Sequence, residues 1–134
     1  MPVPGSDVAA TNSGAVVFAL ANRDPEIDPI QAPAHAAVVA TGRSDFLNQI
    51  NTVLASPGVF RGLLDAQATE IIDEMLTAAA EAIADVVSPD QLNVSYIVPS
   101  VFDEKVSHAV SRAVEAASRS RAQPGGGAKE SVLQ

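Results

Sequence analysis

A chain of 134 residues makes one domain at most, and a composition 47% hydrophobic but only 4% aromatic gives it a core of small Ala and Val side chains. Sixteen acids against eight bases leave a net charge of −8, which repels a phosphate backbone and argues against a nucleic-acid partner. The lack of cysteine excludes disulfides, thiolate metal sites and a Cys nucleophile, and no apolar run approaches the ~20 residues that span a bilayer.

Residues 1–14 carry Pro, Gly, Ser and Asn and read as a flexible lead-in. They have neither the basic head nor the apolar run of a signal peptide, so a cytoplasmic location is expected. Residues 15–21 (AVVFALA) form a continuous apolar run, which predicts a strand buried on both faces, with turn chemistry at Asn22-Arg23-Asp24-Pro25 behind it. Residues 36–41 (AAVVAT) predict a second apolar strand closed by Gly42. Two such strands, linked by a turn and a short segment, pair in parallel in an α/β sheet.

After Gly42 the pattern turns helical. One helix is expected over 45–54, and Ser56-Pro57 supplies a cap and a first-turn proline ahead of another over 59–66. Ile72, Met75, Leu76, Ala79, Ile83, Val86 and Val87 recur at helical spacing, with Asp73 and Glu74 at the positive end. Ser88-Pro89-Asp90 stops that helix and can cap a short one. Val106, Ala109, Val110, Ala113, Val114 and Ala117 draw the stripe of a last helix that ends near Arg119–Arg121. Residues 122–134, with a Gly run, read as a disordered tail. The architecture expected is α/β: a partial Rossmann-like domain, a short parallel sheet flanked by helices.

Several side chains invite a chemical reading. Asn22 comes after a strand end, where open α/β sheets gather their ligands; the amide either reaches a carboxylate or satisfies its own turn. Asn48, Gln49 and Asn51 stand together near an expected helix start, either at an anion site or as simple caps. Gly58 and Gly62 lack the G-x-G-x-x-G spacing of a dinucleotide loop, and close helix packing explains them better. His35 and His108 have no partners at metal-ligand spacing. Asp73, Glu74, Glu81 and Asp85 belong to a solvated helix face.

The segments VVFALANRDPEI (16–27) and AAVVATGRSDFLNQINTVLASPGVFRG (36–62) resemble the second half of the dinucleotide-binding domain of malic enzymes. The resemblance covers roughly residues 15–121 and is most specific in 16–62. It implies binding of NAD or NADP and of malate or pyruvate, in a family that decarboxylates malate oxidatively. An Asn after the FALAN strand and another in an NQ-x-NN segment contact malate beside the nicotinamide in that family, which maps onto Asn22 and Asn51. Arg23, Leu47 and Thr52 depart from the family's usual Pro, Pro and Asn. The resemblance assigns the family's catalytic Tyr and Lys upstream, so Tyr96 and Lys105 do not inherit those roles.

This sequence also has no Asp-Asp pair of the kind that ligates Mg or Mn in the family, and no Gly-rich loop. No catalytic or metal-binding residue is therefore expected here, and the chain is expected to be inactive alone. The alternative is a non-catalytic interaction protein that self-associates or complements a separate catalytic chain through unpaired strand edges.

Overall fold

The computed structural model describes residues 3–21 and 24–122. A five-residue turn of helix, α1 (Gly5–Ala9), precedes strand β1 (Val16–Ala19). A 3₁₀ turn at Ala32–Ala34 leads to strand β2 (Val38–Thr41). A second 3₁₀ turn (Thr52–Leu54) runs into α2 (Ser56–Asp65), followed by α3 (Asp73–Val86) and α4 (Glu104–Ala122).

The two strands pair in parallel as the apolar runs predict, with Val16 opposite Val38 and Ala19 opposite Thr41. Parallel pairing requires a crossover, supplied here by the segment that contains Ala32–Ala34. Beyond β2 the chain returns alongside it. The Thr41 N–H donates to the Asn48 carbonyl at 3.3 Å, and the Ile50 N–H donates to the Thr41 carbonyl at 2.8 Å.

The expectation that β1 is buried on both faces is wrong. Ala19 is buried, but Val16 is 55% exposed and Phe18 53%. Alternation along a strand puts residues 16 and 18 on one face, and no described element covers that face. An apolar run alone cannot distinguish a strand that is covered on both sides from one that would be if more sheet or helix lay over it.

The helical half carries the core. Val106, Val110 and Val114 recur every four residues along α4 and pack with Leu54, Val59, Met75 and Ala79. Fully burying a valine is worth about 1.5–3 kcal/mol, so this stripe is the main cohesive element. Close approach of α2 to α4 depends on glycine: a Cβ added at Gly58 would stand 2.5 Å from the Val110 Cβ, and one at Gly62 2.5 Å from the Ser111 carbonyl oxygen. That bears out close helix packing as the reason for the Gly58–Gly62 spacing.

Three local expectations need correction. No helix spans 45–54, because Asn48 takes a left-handed φ of 54° and the chain beyond it runs extended to Asn51 (φ −143°, ψ 139°). Ser56 does not cap α2; it lies inside the first turn with Pro57, and no side chain caps that end. Ser88-Pro89-Asp90 begins no helix: the Gln91 and Leu92 N–H groups bond to the Ser88 carbonyl, and the Ser88 hydroxyl donates to Gln91 Oε1 at 2.8 Å.

Within the lead-in, α1 seats Val8 in a buried position, and the Thr11 hydroxyl closes on the Val8 carbonyl at 2.7 Å. Ala122 belongs to the last turn of α4, and the remaining tail residues, 123–134, lie outside the described residues.

Candidate functional site

The carboxyl ends of β1 and β2 lie side by side, since the register sets Ala19 against Thr41. In open α/β sheets the crevice outside such strand ends is where ligands bind. Asn22, expected at this point, lies outside the described residues. Just past the end of β1, the Ala21 N–H donates to both carboxylate oxygens of Glu26, at 3.1 and 3.0 Å, which ties the strand end to the chain beyond it. That bond is the main reason the Glu26 carboxyl is held below its ordinary pKa, with its own backbone N–H contributing next.

At the end of β2, Thr41 is buried and its hydroxyl oxygen accepts the Arg43 N–H at 3.4 Å. The Arg43 guanidinium forks onto Asp45, Nε to Oδ1 at 2.9 Å and Nη2 to Oδ2 at 2.6 Å, and lies 5.0 Å from the Phe46 ring centroid. Hydrogen bonding within this pair raises the Arg43 pKa and lowers that of Asp45. The cation is thereby occupied by its neighbour rather than left for a ligand.

Asn48, Gln49 and Asn51 do not open one helix together, and the Asn48 and Asn51 amides have separate roles. Asn48 is only 7% exposed. Its Nδ2 donates to the Val39 carbonyl at 3.1 Å and to the Val94 carbonyl at 2.8 Å, while its Oδ1 accepts the Ile97 N–H at 2.9 Å. Both amide hydrogens are spent, so Asn48 has none left to donate to a ligand. A mostly apolar cavity of about 200 Å³ opens beside it, lined in part by Ala36, Val39, Phe46 and Val94.

Asn51 is half-buried, and its Oδ1 accepts the Val53 N–H at 3.0 Å, capping the turn that runs into α2. The cap fixes the carboxamide plane and uses only its oxygen. Among the described residues nothing accepts from Asn51 Nδ2.

The remaining candidates stay apart from this crevice chemistry. His35 and His108 are exposed, as are Asp73, Glu74, Glu81 and Asp85 on α3. Lys105 is exposed in the first turn of α4, and Tyr96 is half-buried in a turn bridged to Asn93. Among the described residues no three His, Asp or Glu side chains converge as a metal site would need, and no helix is long and apolar enough to cross a membrane.

Sequence reasoning missed the Asn48 staple. The available signal was an Asn, one of the few residues that tolerates φ > 0, placed where a loop must turn back along a strand.

Comparison with known proteins adds an independent line. Residues 31–119 match the family described as malic enzyme, NAD binding domain, a span that contains β2, Asn48, Asn51 and most of α4. The NAD-dependent malic enzyme of Geobacillus stearothermophilus is 56% identical over 114 residues, covering 84% of this chain and 24% of its own length. The NADP-dependent malic enzyme of Rhizobium meliloti is 41% identical over 115 residues, covering 74% of this chain and 15% of its own. Among solved structures, the malic enzyme of Pyrococcus horikoshii superposes with a TM-score of 0.82 at 43% identity, covering 88% of this chain and 27% of that one. The chain thus spans about a quarter of the length of such relatives or less.

Proposed function

Starting from the premise that the chain belongs to the malic enzyme NAD-binding domain family, we propose that it forms part of a nicotinamide-nucleotide and malate site and is catalytically incompetent alone. The observation that carries this reading is Asn51: its carboxamide is held by a cap beside the end of β2, with an Nδ2 that nothing described occupies. In this reading Asn51 donates to a carboxylate or carbonyl oxygen of malate or of the nicotinamide amide, and Asn22, outside the described residues, is the second such amide.

The residues present fit a nicotinamide nucleotide. Two parallel strands end together, and small or polar residues (Ala21, Thr41, Gly42) stand at or just past their ends. NAD or NADP, when bound, accepts hydride from the malate carbinol carbon. The chain's own part is to bind and orient: Asn51 presents a fixed donor, and the Glu26 carboxylate pins the backbone at Ala21.

The described residues do not fit a divalent cation, because their carboxylates are dispersed and no cluster of three exists. The family's Mg or Mn is not held by them. An oxidative decarboxylation that relies on a base, an acid and a metal acting as a unit retains little when those groups are missing, since their contributions are not additive. A cysteine-free, acidic composition suits the cytoplasm, where this reading places the protein.

The test is a two-part assay on the full chain. L-malate with NAD⁺ or NADP⁺ should perturb the Asn51 side-chain amide in a ¹H–¹⁵N spectrum, and Mn²⁺ added to the same mixture should give no pyruvate. Turnover that Asn51→Ala abolishes would overturn the incompetence, while an Asn51 amide indifferent to both ligands would remove it from the site.

A second reading, a non-catalytic chain that self-associates or complements a catalytic one, is favoured by the uncovered row of Val16 and Phe18 on β1 with Leu20 just beyond it. The two readings are compatible, since a complemented sheet would complete the crevice.

A further inference from the structure

We infer that Asn48 is the positioning residue of this crevice: its side chain, more than its backbone, sets where Asn51 stands. The inference rests on the reading of Asn51 as a ligand-contacting residue and goes one step further back into the structure.

The geometry is a three-way tie. Asn48 reaches β2 through the Val39 carbonyl and a segment 46 to 49 residues downstream through the Val94 carbonyl and the Ile97 N–H. Its own carbonyl accepts from Thr41, and Ile50 donates back to Thr41, so residues 48–50 are strapped to the end of β2 on a second side. From that strap the chain runs extended through Asn51, whose Oδ1 takes the Val53 N–H.

A residue with φ of 54° is needed for the turn, and glycine would satisfy that need. Glycine would not supply the three part-buried side-chain bonds, whose loss takes these partners from the Val39 and Val94 carbonyls and the Ile97 N–H. The carboxamide thus ties β2 to the 94–97 turn at the base of the strap that leads to the Asn51 cap, so that the strap is placed by groups remote in sequence.

The experiment uses the ¹⁵N-labelled full chain with Asn48→Gly and Asn48→Asp. The first keeps the left-handed turn and removes the tie. The second keeps the shape and the acceptor for Ile97, but turns an oxygen toward the Val39 and Val94 carbonyls. Both should shift the Asn51 side-chain amide and speed Val53 N–H exchange by about tenfold or more, as expected for losing bonds of this kind. Amides in the middle of α3 and α4 should keep their positions, which a general loss of structure would not allow.

An unmoved Asn51 amide with unchanged Val53 exchange in folded Asn48→Gly would overturn the inference. Should neither variant fold, native-state exchange of the unmodified chain decides. The Ile97 and Val53 N–H groups are expected to exchange through one shared opening, with the same denaturant dependence; independent openings would overturn it. Addition of L-malate with NAD⁺ to the unmodified chain separates the premise from the inference. Silence at Asn51 there removes the ligand role and leaves the Asn48 result standing.

Discussion

Asn51 caps a turn, and in the proposed reading the same amide also donates to a ligand, so substitutions can separate the two. Asn51→Ala removes the cap on Val53 and should cost about 1 kcal/mol of stability. Asn51→Asp keeps a capping oxygen and replaces the amide donor with a carboxylate oxygen. It should recover most of that loss in urea melts while abolishing the shifts that malate and NAD⁺ cause in neighbouring backbone amides. Equal backbone-amide shifts in the aspartate variant and the parent would refute the donor role. Glu26 offers a pH test at the same scale. Its carboxyl is held below the ordinary Glu value by the Ala21 N–H, so its contribution is present above that value and is lost as pH falls through the lowered folded one. Glu26→Gln should flatten the acid limb of the stability–pH profile by lowering its neutral plateau, with the acid end little changed; a profile identical to the parent's would show that the bond does not matter in solution. Asn51 could be proposed from the sequence because the motif that suggests it is local. The Asn48 tie could not, because two of its three bonds go to residues Val94 and Ile97, whose proximity only the folded chain creates.

Among the elements, α2 shows packing overriding propensity. Exchanging Gly for Ala inside a helix gains about 1 kcal/mol in isolation. At Gly62 the new methyl would stand 2.5 Å from a backbone oxygen of α4, which no rotamer change can relieve, and overpacking of this kind costs about 1–3 kcal/mol. Gly62→Ala should therefore lower the melting temperature despite its better propensity, with Gly58→Ala behaving likewise against Val110. A rise in melting temperature for both would mean that α4 moves away at no cost. The long helices were legible because their apolar residues repeat at 3.6: α3 and α4 fall where Met75, Ala79, Val106, Val110 and Val114 place them. The segment over 45–54 carries a similar mixture of apolar and polar residues but no sustained stripe, and one left-handed Asn diverts it into a strap beside β2. The burial of β1 was misread because an apolar run reports what a strand could bury, whereas Val16 and Phe18 show what is left uncovered in this chain.

On the whole-molecule scale, the question is whether the uncovered strand suffices to hold a partner. Val16, Phe18 and Leu20 are 55%, 53% and 63% exposed, and β1 pairs on one side only. Burying the exposed part of three such side chains yields roughly 3–5 kcal/mol. Association costs about 4–15 kcal/mol in lost freedom, so two copies meeting through this row alone should bind weakly. Charge sharpens the expectation, because two chains of −8 repel each other until salt screens them. Sedimentation velocity should therefore show a monomer at micromolar concentration in low salt, with association appearing at high concentration and growing with ionic strength. Phe18→Lys should suppress that association while α2–α4 keep their helical signal, since Phe18 is outside their core. A monomer at every concentration and salt level, with a cooperative melt, would count against self-association through β1. A polypeptide that both covers this row and hydrogen-bonds the free edge would gain more than contact through the row alone. Mixing the chain with a polypeptide carrying the upstream half of a malic-enzyme nucleotide domain should then give a complex that Phe18→Lys weakens at any ionic strength. Salt dependence without sensitivity to Phe18→Lys would place the contact on some other face.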